Sequence, residues 1–376
     1  MADLMMKKMP ATEWQDALPL GNGEIGAMIY GSIQKERILL NHERLFRYQK
    51  EPVYDPFYEY LPQVRKLMLE GRYDEGEAYF NEKFKSCCKE VYNVDPYQPF
   101  AEAYLVRKPD DAFTDYTASL DFSSAIAKVQ WNEKNSRITR ESFVSYETGC
   151  VCTSIFTSDD RPLDLKVYMD SVPGGENYLV SNHQIKDNCF ILNCIYNDGR
   201  KHGAVAYVKT DGGSIEYNKD NISVNKAIKI YIFIKLYIYE DDKKAADRLI
   251  KTLKGYDYDQ LKQNHISVWK RLYNEVSLTL GDEQEILSNE EILLDAYQDK
   301  KPLNLFNTMF NYGKYLFISS SRKNGLPINL QGIWNGTYEP KWDSDKHNDE
   351  NVQMCYGASL PLGQVESSLA LYDYFD

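Results

Sequence analysis

The sequence of 376 residues predicts a large antiparallel β-sandwich followed by α-helices, and three observations lead to this fold class. Residues 228–240 alternate aliphatic with aromatic or basic side chains, which is the two-residue period of a strand. Shorter runs of this kind are separated by glycine-rich turn sequences such as "SVPGGEN" and "TDGGS". Near Gly255 the apolar residues begin to recur at helical spacing, so we expect the strands to end there.

Residues 1–254 form the predicted sandwich domain, which we expect to fold on its own. The long alternating run supplies a strand with one aliphatic face for the core and one aromatic and basic face that should be half-covered. A helical hairpin interrupts the strands near residues 60–84. There Leu61, Val64 and Leu67 share one helix face, and Gly71 ends the first helix.

Residues 255–301 form a predicted helical linker, in which Ser288 and Glu291 make the pattern of a capping box. Residues 302–376 begin an α-helical domain. Its first helix is apolar nearly all round, so we expect it to be buried on most sides. About three helices are too few to close a core, and we therefore interpret this domain as incomplete.

Charge and composition narrow the classes of partner. A formal net charge of -12 disfavours nucleic acid and anionic membranes, and no apolar run is long enough to span a membrane. The five histidines and seven cysteines show no metal-ligand spacing and no C-x-x-C motif, so we predict no metal site, no cofactor and a reducing compartment. The first residues lack an apolar signal-peptide region, which favours a cytoplasmic protein. The oligomeric state stays open.

The stretch "LGNGEIGAM" at residues 20–28 has the spacing of a dinucleotide-binding fingerprint, with an acid, Glu43, further along the chain. Its flanks argue against this function. Charged residues and Pro19 precede the first glycine, where a buried strand should run, and Gly31 interrupts the helix that should follow. We therefore predict a short strand here, with the glycines as turn residues of positive φ.

A second stretch rich in glycine and aromatic residues, 324–357, carries the candidate site. An indole can cover the apolar face of a sugar ring, while amides and carboxylates pair with its hydroxyl groups. By composition alone, a polar loop between helices with two anchoring tryptophans is an equal alternative. The candidate residues are Gln331, Trp334, Asn335, Trp342, His347, Asp349 and Asn351.

Several segments resemble glycoside hydrolase family 95, the inverting α-L-fucosidase family. They include "WQDALPLGNGEIGAMIYGSIQKERILLNHERLF", "LPQVRKLMLEGRYDEGEAYFNEKF" and "YGKYLFISSSRKNGLPINLQGIWN", in the same order as in that family. The resemblance implies that residues 1–254 are the family's large sandwich, or super-sandwich, and that residues 302–376 begin its (α/α)6 barrel. It further implies a glycan substrate, an α-L-fucosidase or α-L-galactosidase activity, and no nucleotide at the glycine-rich stretch.

The resemblance also implies roles within the segment "HNDENVQMCYG". His347 falls on a sugar-contacting position, and Asn351 falls on an asparagine that holds the attacking water. Asp349 stands where the family has another asparagine, so it is either the base or a sugar-binding acid. Cys355 and Gly357 are further departures, at the wall of the site. No residue matches the family's general acid, so we expect an N-terminal fragment that is inactive by itself.

Two other functions stay open on the sequence alone. A carbohydrate-binding sandwich without hydrolysis would use the aromatic face of the strand at residues 228–240. A glycoside phosphorylase would share the architecture, but the sequence contains no cluster of Lys, Arg and Ser that could cradle phosphate.

Overall fold

The computed structural model describes residues 3–49, 55–88, 94–109, 112–281, 287–298, 300 and 303–376. The chain separates into two compact units, one of residues 1–45 with 97–376 and one of residues 46–96. The larger unit is a β-sandwich followed by helices, which confirms the predicted fold class. No helix within the described ranges has the length and apolar content of a membrane span.

Sixteen strands are formed by the described residues, and they pair into two antiparallel sheets. They are β1 (Leu4–Lys7), β2 (Leu18–Gly21), β3 (Ile25–Ile29), β4 (Lys35–His42), β5 (Ala101–Val106), β6 (Phe113–Asp121), β7 (Ile126–Glu133), β8 (Ser136–Val144), β9 (Val151–Thr157), β10 (Leu163–Asp170), β11 (Leu179–Lys186), β12 (Cys189–Tyr196), β13 (Lys201–Asp211), β14 (Ser214–Tyr217), β15 (Ile222–Ala227) and β16 (Lys229–Ile238). One sheet has the order β1-β6-β7-β8-β9-β16-β13-β12-β11, and the other has the order β14-β15-β10-β5-β4-β3-β2.

The smaller unit is a helical hairpin of α1 (Leu61–Leu69) and α2 (Tyr73–Cys87). The two helices meet at Gly71, whose φ of 74° favours glycine. A cluster of aromatic side chains packs the unit, with ring centroids 5.1 to 5.7 Å apart, among Phe57, Phe80 and Phe84.

Strand β16 accounts for the long alternating run and lies between β9 and β13 in the larger sheet. Its residues Ile230, Ile232 and Ile234 are buried in the core between the sheets. Its aromatic face is buried too, because α3 (Asp242–Lys254) and α4 (Tyr258–Tyr273) pack on Tyr231, Phe233 and Tyr237. Tyr231, Phe233 and Tyr237 are therefore more than half-covered, and they offer no open aromatic surface to a glycan.

Four more helices follow in the larger unit, namely α5 (Asn289–Tyr297), α6 (Leu303–Ser320), α7 (Asn351–Tyr356) and α8 (Val365–Phe375). The sandwich core includes side chains from α4 and α6. The indole of Trp269 donates to the carbonyl oxygen of Phe122 at 2.7 Å, and the hydroxyl of Tyr315 donates to that of Pro19 at 2.6 Å. Both side chains are fully buried.

Helix α6 buries a polar face as well as an apolar one. Asn307 exchanges hydrogen bonds with the backbone of Leu280, and the ammonium of Lys314 donates to the carbonyl oxygen of Val276 at 2.7 Å. At the beginning of the helix, Leu303, Phe306 and Met309 are about half exposed or more. The prediction of an apolar helix that is buried on most sides is therefore correct only for its second half. In the first half these apolar residues are exposed, because the side that faces the protein carries Asn307, which binds the extended segment that follows α4.

The glycine-rich stretch forms the β2–β3 hairpin, which confirms the predicted short strand. Gly23 has the positive φ of a turn, 85°, but Gly21 and Gly26 are paired strand residues. A Cβ atom on Gly21 would lie 2.4 Å from the carbonyl oxygen of Ser319, and one on Gly26 would touch the indole of Trp334. The prediction that all three are turn glycines is therefore wrong for two of them, which are glycines because α6 and the following loop approach so closely.

Candidate functional site

Residues 324–350, which are most of the loop between α6 and α7 and are here called the site loop, are anchored on the sandwich. The indole nitrogen of Trp334 donates to the carbonyl oxygen of Leu20 at 2.9 Å. The hydroxyl of Tyr97 donates to the carbonyl oxygen of Ile333 at 2.8 Å, and the side-chain amide of Asn335 donates to that of Tyr97 at 2.7 Å. These bonds are buried, so they hold the middle of the loop in one position.

A cleft of about 430 Å³ lies between α6 and the site loop. Tyr312, Leu316 and Phe317 of α6 form one side, and Asn329, Gln331 and Trp334 of the site loop form another. The segment ahead of β2 contributes Trp14 and Gln15, and α7 contributes Cys355. The volume is within the range of small-molecule sites, and the lining is apolar and aromatic with a few amides.

Gln331 supplies the unsatisfied polar group of this cleft. Its Oε1 atom is buried and accepts no hydrogen bond from the described residues, while its backbone N–H donates to the side chain of Asn329 at 2.8 Å. An unpaired buried carbonyl oxygen costs free energy, which a ligand hydroxyl or a water can recover.

The structure brings two of the seven predicted residues, Gln331 and Trp334, to the lining of this cleft. Asn335 is fully buried, and its side chain also accepts from the backbone N–H of Thr337 at 3.1 Å. Its amide is thus used within the protein. The other four line no part of the cleft: Trp342 is 74% exposed, His347 is half-buried, and Asp349 and Asn351 are exposed at the beginning of α7.

Trp342 stands on a left-handed turn. Trp342, Asp343 and Ser344 have φ values of 49°, 55° and 50°, which cost free energy in side chains other than glycine. The turn is held by the backbone N–H of Tyr97, which donates to the carbonyl oxygen of Asp343 at 2.8 Å, and by the Ser344 hydroxyl, which donates to Asn329 at 3.1 Å. Strained backbone that is held this firmly is common near binding sites.

Trp14 and Gln15 were missed as cleft residues by the sequence reasoning. Trp14 is half-buried and packs against Gly336, where a Cβ atom would lie 2.5 Å from the indole. The available signal was their position in the first resembling segment, directly before the glycine-rich hairpin.

Ionisable groups beneath the site loop have shifted pKa values. Burial raises the pKa of Glu43 to about 7, although the backbone N–H of Leu326 and the charges of Arg44 and Lys346 oppose the shift. Burial also lowers the pKa of Lys346. Among the residues that the structure describes, no group of three His, Cys, Asp or Glu side chains could hold a metal ion.

Comparison with known proteins covers both parts of the chain. Residues 5–237 match the glycosyl hydrolase family 65 N-terminal domain, and residues 257–376 match the glycosyl hydrolase family 95 catalytic domain. "Alpha-L-fucosidase 2" of Arabidopsis thaliana is 29% identical over 97% of the chain and 47% of its own length. "Probable alpha-fucosidase A" of Aspergillus niger is 26% identical over 95% of the chain and 48% of its own length.

The chain therefore spans about half the length of the curated relatives it matches. Among solved structures, a human-microbiome protein assigned as a kojibiose phosphorylase has a TM-score of 0.51 at 10% sequence identity. That alignment covers 89% of this chain and 44% of the other. At this identity the likeness concerns the fold alone.

Proposed function

This chain belongs to glycosyl hydrolase family 95, with an N-terminal domain of the family 65 type, and on that premise we propose that it serves the inverting hydrolysis of a terminal L-fucose or L-galactose residue in a glycan. Two relatives with fucosidase names align with at least 95% of the chain, which supports this activity class.

The cleft beside Gln331 is the observation that carries the proposal. Trp14 and Trp334 offer aromatic surface to the C–H face of a sugar ring, and the free Oε1 of Gln331 accepts a bond from a sugar hydroxyl. Gln15 and Asn329 lie on the same lining and add further amides. Among the described residues, no charged side chain lines the cleft, which suits a neutral ligand.

Inverting hydrolysis needs a general acid for the leaving oxygen and a base that activates water on the opposite face. We assign the water to Asn351 and Asp349, at and just before the beginning of α7, and a sugar hydroxyl to His347. These residues would reach the sugar from beside the cleft, whose lining includes Cys355 of the same helix. Trp342 extends the binding surface from its exposed turn. No residue of this chain is assigned as the acid, so the 376-residue chain by itself is proposed to bind the sugar without turning it over at an enzymatic rate.

Titration with L-fucose, monitored by NMR or calorimetry, tests the proposed binding of the sugar. Gln331→Met keeps the side-chain length and removes the acceptor, so the affinity should fall about threefold to tenfold, the effect of one neutral hydrogen bond. The exposed Gln263, in α4 and outside the cleft lining, provides the control Gln263→Met, which should bind like the parent chain. Equal affinities for all three chains would remove Gln331 from the site.

A nitrophenyl α-L-fucoside and the corresponding L-galactoside, each assayed with and without phosphate, test the chemistry. A chain with the complete catalytic domain should release the sugar without phosphate. Formation of a sugar 1-phosphate would identify a phosphorylase instead. Turnover by the 376-residue chain alone would mean that it contains an acid that we have not assigned.

A further inference from the structure

Glu43 lies between the two ends of the site loop. It directly follows β4 and is only 5% exposed. Its Oε2 accepts a hydrogen bond from the backbone N–H of Leu326, near the beginning of the loop, at 2.6 Å. Lys346, near the end of the loop, is also buried, and its charge interacts with that of Glu43. One carboxyl group of the sandwich thus bonds the beginning of the segment that contains Gln331, Trp334, Asn335 and Trp342, and its charge acts on the lysine near the end of that segment.

The beginning of the loop fits tightly over this carboxyl group. A Cβ atom on Gly325 would lie 2.9 Å from Oε2 of Glu43, so a side chain there would displace the carboxyl. The guanidinium of Arg44 donates to the carbonyl oxygen of Asn324 at 3.3 Å and lies 3.2 Å from Oε1 of Glu43. Two consecutive sandwich residues, Glu43 and Arg44, therefore bind the backbone of residues 324–326.

The same segment is held from the other side by α7. The hydroxyl of Tyr356 accepts a bond from the backbone N–H of Ile328 at 3.3 Å, and the helix that carries Tyr356 begins at Asn351. Residues 326–328 are thus bonded to the sandwich at Leu326 and to α7 at Ile328. From there the chain continues directly into Asn329 and Gln331 at the cleft.

We propose that Glu43 is a positioning residue, which holds the site loop closed over the sandwich and so sets the place of Gln331 in the cleft. The effect of this positioning on sugar binding rests on the proposed function, whereas the closure of the loop does not. The carboxyl acts through the backbone of Leu326 and is not among the residues that line the cleft.

This role gives loop closure a characteristic dependence on pH. The ionisable groups whose charges act on Glu43, or feel its charge, are Glu24, Arg44, Tyr97, Lys346 and Tyr356. Their combined effect with burial gives a pKa of about 7 under the closed loop, against 4.5 for an exposed glutamate. Closure therefore favours the protonated carboxyl. It is strongest below pH 4.5 and weakens as the pH rises through 7.

Hydrogen exchange of the 376-residue chain measures this closure at the amides of residues 324–331. After correction for the intrinsic exchange rate, the opening equilibrium of the loop should increase about tenfold between pH 6 and pH 8.5, as follows from the two pKa values. Glu43→Gln keeps an acceptor for Leu326 but does not titrate, so its loop opening should be independent of pH. Glu43→Ala should open the loop at every pH.

The exposed Glu350 provides the matched control, and Glu350→Gln should keep the tenfold dependence. If Glu43→Gln shows the same pH dependence as the parent chain, or if the parent shows none, the proposal is wrong. Should Glu43→Ala fail to fold, the Gln variant still decides. Titrations with L-fucose at pH 6 and 8.5 separate the two proposals, since a failure to bind sugar would remove the proposed function and leave the exchange result intact.

Discussion

Asn41 and Asn335 bond each other in both directions although they stand 294 positions apart in the chain. The side-chain amide of Asn41 donates to the carbonyl oxygen of Asn335 at 2.8 Å, and the backbone N–H of Asn335 donates to the Oδ1 of Asn41 at 3.3 Å. Both residues are fully buried. The sandwich and the site loop are thus joined by a polar contact that neither could satisfy alone.

Removal of this contact should destabilise the protein. Asn41→Ala leaves a buried N–H and a buried carbonyl of Asn335 without their partner, so the free energy of unfolding should fall by about 2 kcal/mol. The exposed Asn348 supplies the control, and Asn348→Ala should change stability by less than about 0.5 kcal/mol. Urea unfolding of both variants measures the difference, and equal stabilities would contradict the importance of this contact.

The hairpin glycines should tolerate no side chain. Gly21→Ala places a methyl group 2.4 Å from the carbonyl oxygen of Ser319, so we expect a loss of at least about 2 kcal/mol in the free energy of unfolding. Gly313 lies within α6 and has open space around its Cβ position. There Gly313→Ala should stabilise the helix by about 0.5–1 kcal/mol. Thermal unfolding of the two variants should move in opposite directions, and a Gly21→Ala protein as stable as the parent would show that α6 can withdraw.

Asp349→Asn tests the assignment of the base in a chain with a complete catalytic domain. If Asp349 activates the water, turnover should fall on the order of 10²-fold or more, because an amide cannot accept the proton. The neighbouring Glu350 is also exposed, and Glu350→Gln should leave turnover unchanged. A rate that stays the same or rises in Asp349→Asn would reassign Asp349 to sugar binding or to the cap of α7.

Buried histidines should make the protein sensitive to acid. Burial lowers the pKa of His202 and of His265 to about 4, against 6.5 in the unfolded chain. The unfolded state binds more protons between these values, so this stability is complete above pH 6.5 and is lost as the pH falls towards 4. Each histidine should account for about 3 kcal/mol.

Urea unfolding between pH 4 and 7 measures that slope, and the difference in unfolding free energy between the parent chain and His202→Gln should change by about 3 kcal/mol across this range. The exposed His183 serves as the control, since His183→Gln should leave the slope as it is. A difference between the parent chain and His202→Gln that stays constant across this range would mean that the His202 ring is hydrated in solution.

Local patterns predicted the parts of the fold that depend on neighbouring residues. The alternation at 228–240 is β16, and the pattern of Ser288 and Glu291 forms a complete capping box at the beginning of α5. In both cases the interacting residues lie within a few positions of each other, so the sequence contains the whole signal.

Burial in the site loop could not be predicted in this way. Trp334 and Trp342 are the same residue type eight positions apart, yet one is buried and the other is 74% exposed. The difference depends on the carbonyl oxygen of Leu20, which accepts from Trp334 across 314 positions. Likewise, the buried polar face of α6 depends on the backbone at Leu280, 27 positions before Asn307. Composition identified the segment, but long-range partners decided which side chains face the cleft.

The separation of Asn41 from Asn335 also matters while the chain is being made. Strands β2 to β4 leave the ribosome early, and at roughly 5–20 residues per second Asn335 follows Asn41 about 15–60 s later. During that interval the side-chain amide of Asn41 has not yet bonded Asn335, and the carbonyl oxygen of Leu20 has not yet bonded Trp334. The space beside Gly21 is likewise not yet filled by α6. We therefore expect chaperones that hold unfinished chains to bind this edge, and we expect this part of the fold to be completed only after residue 335 has been synthesised.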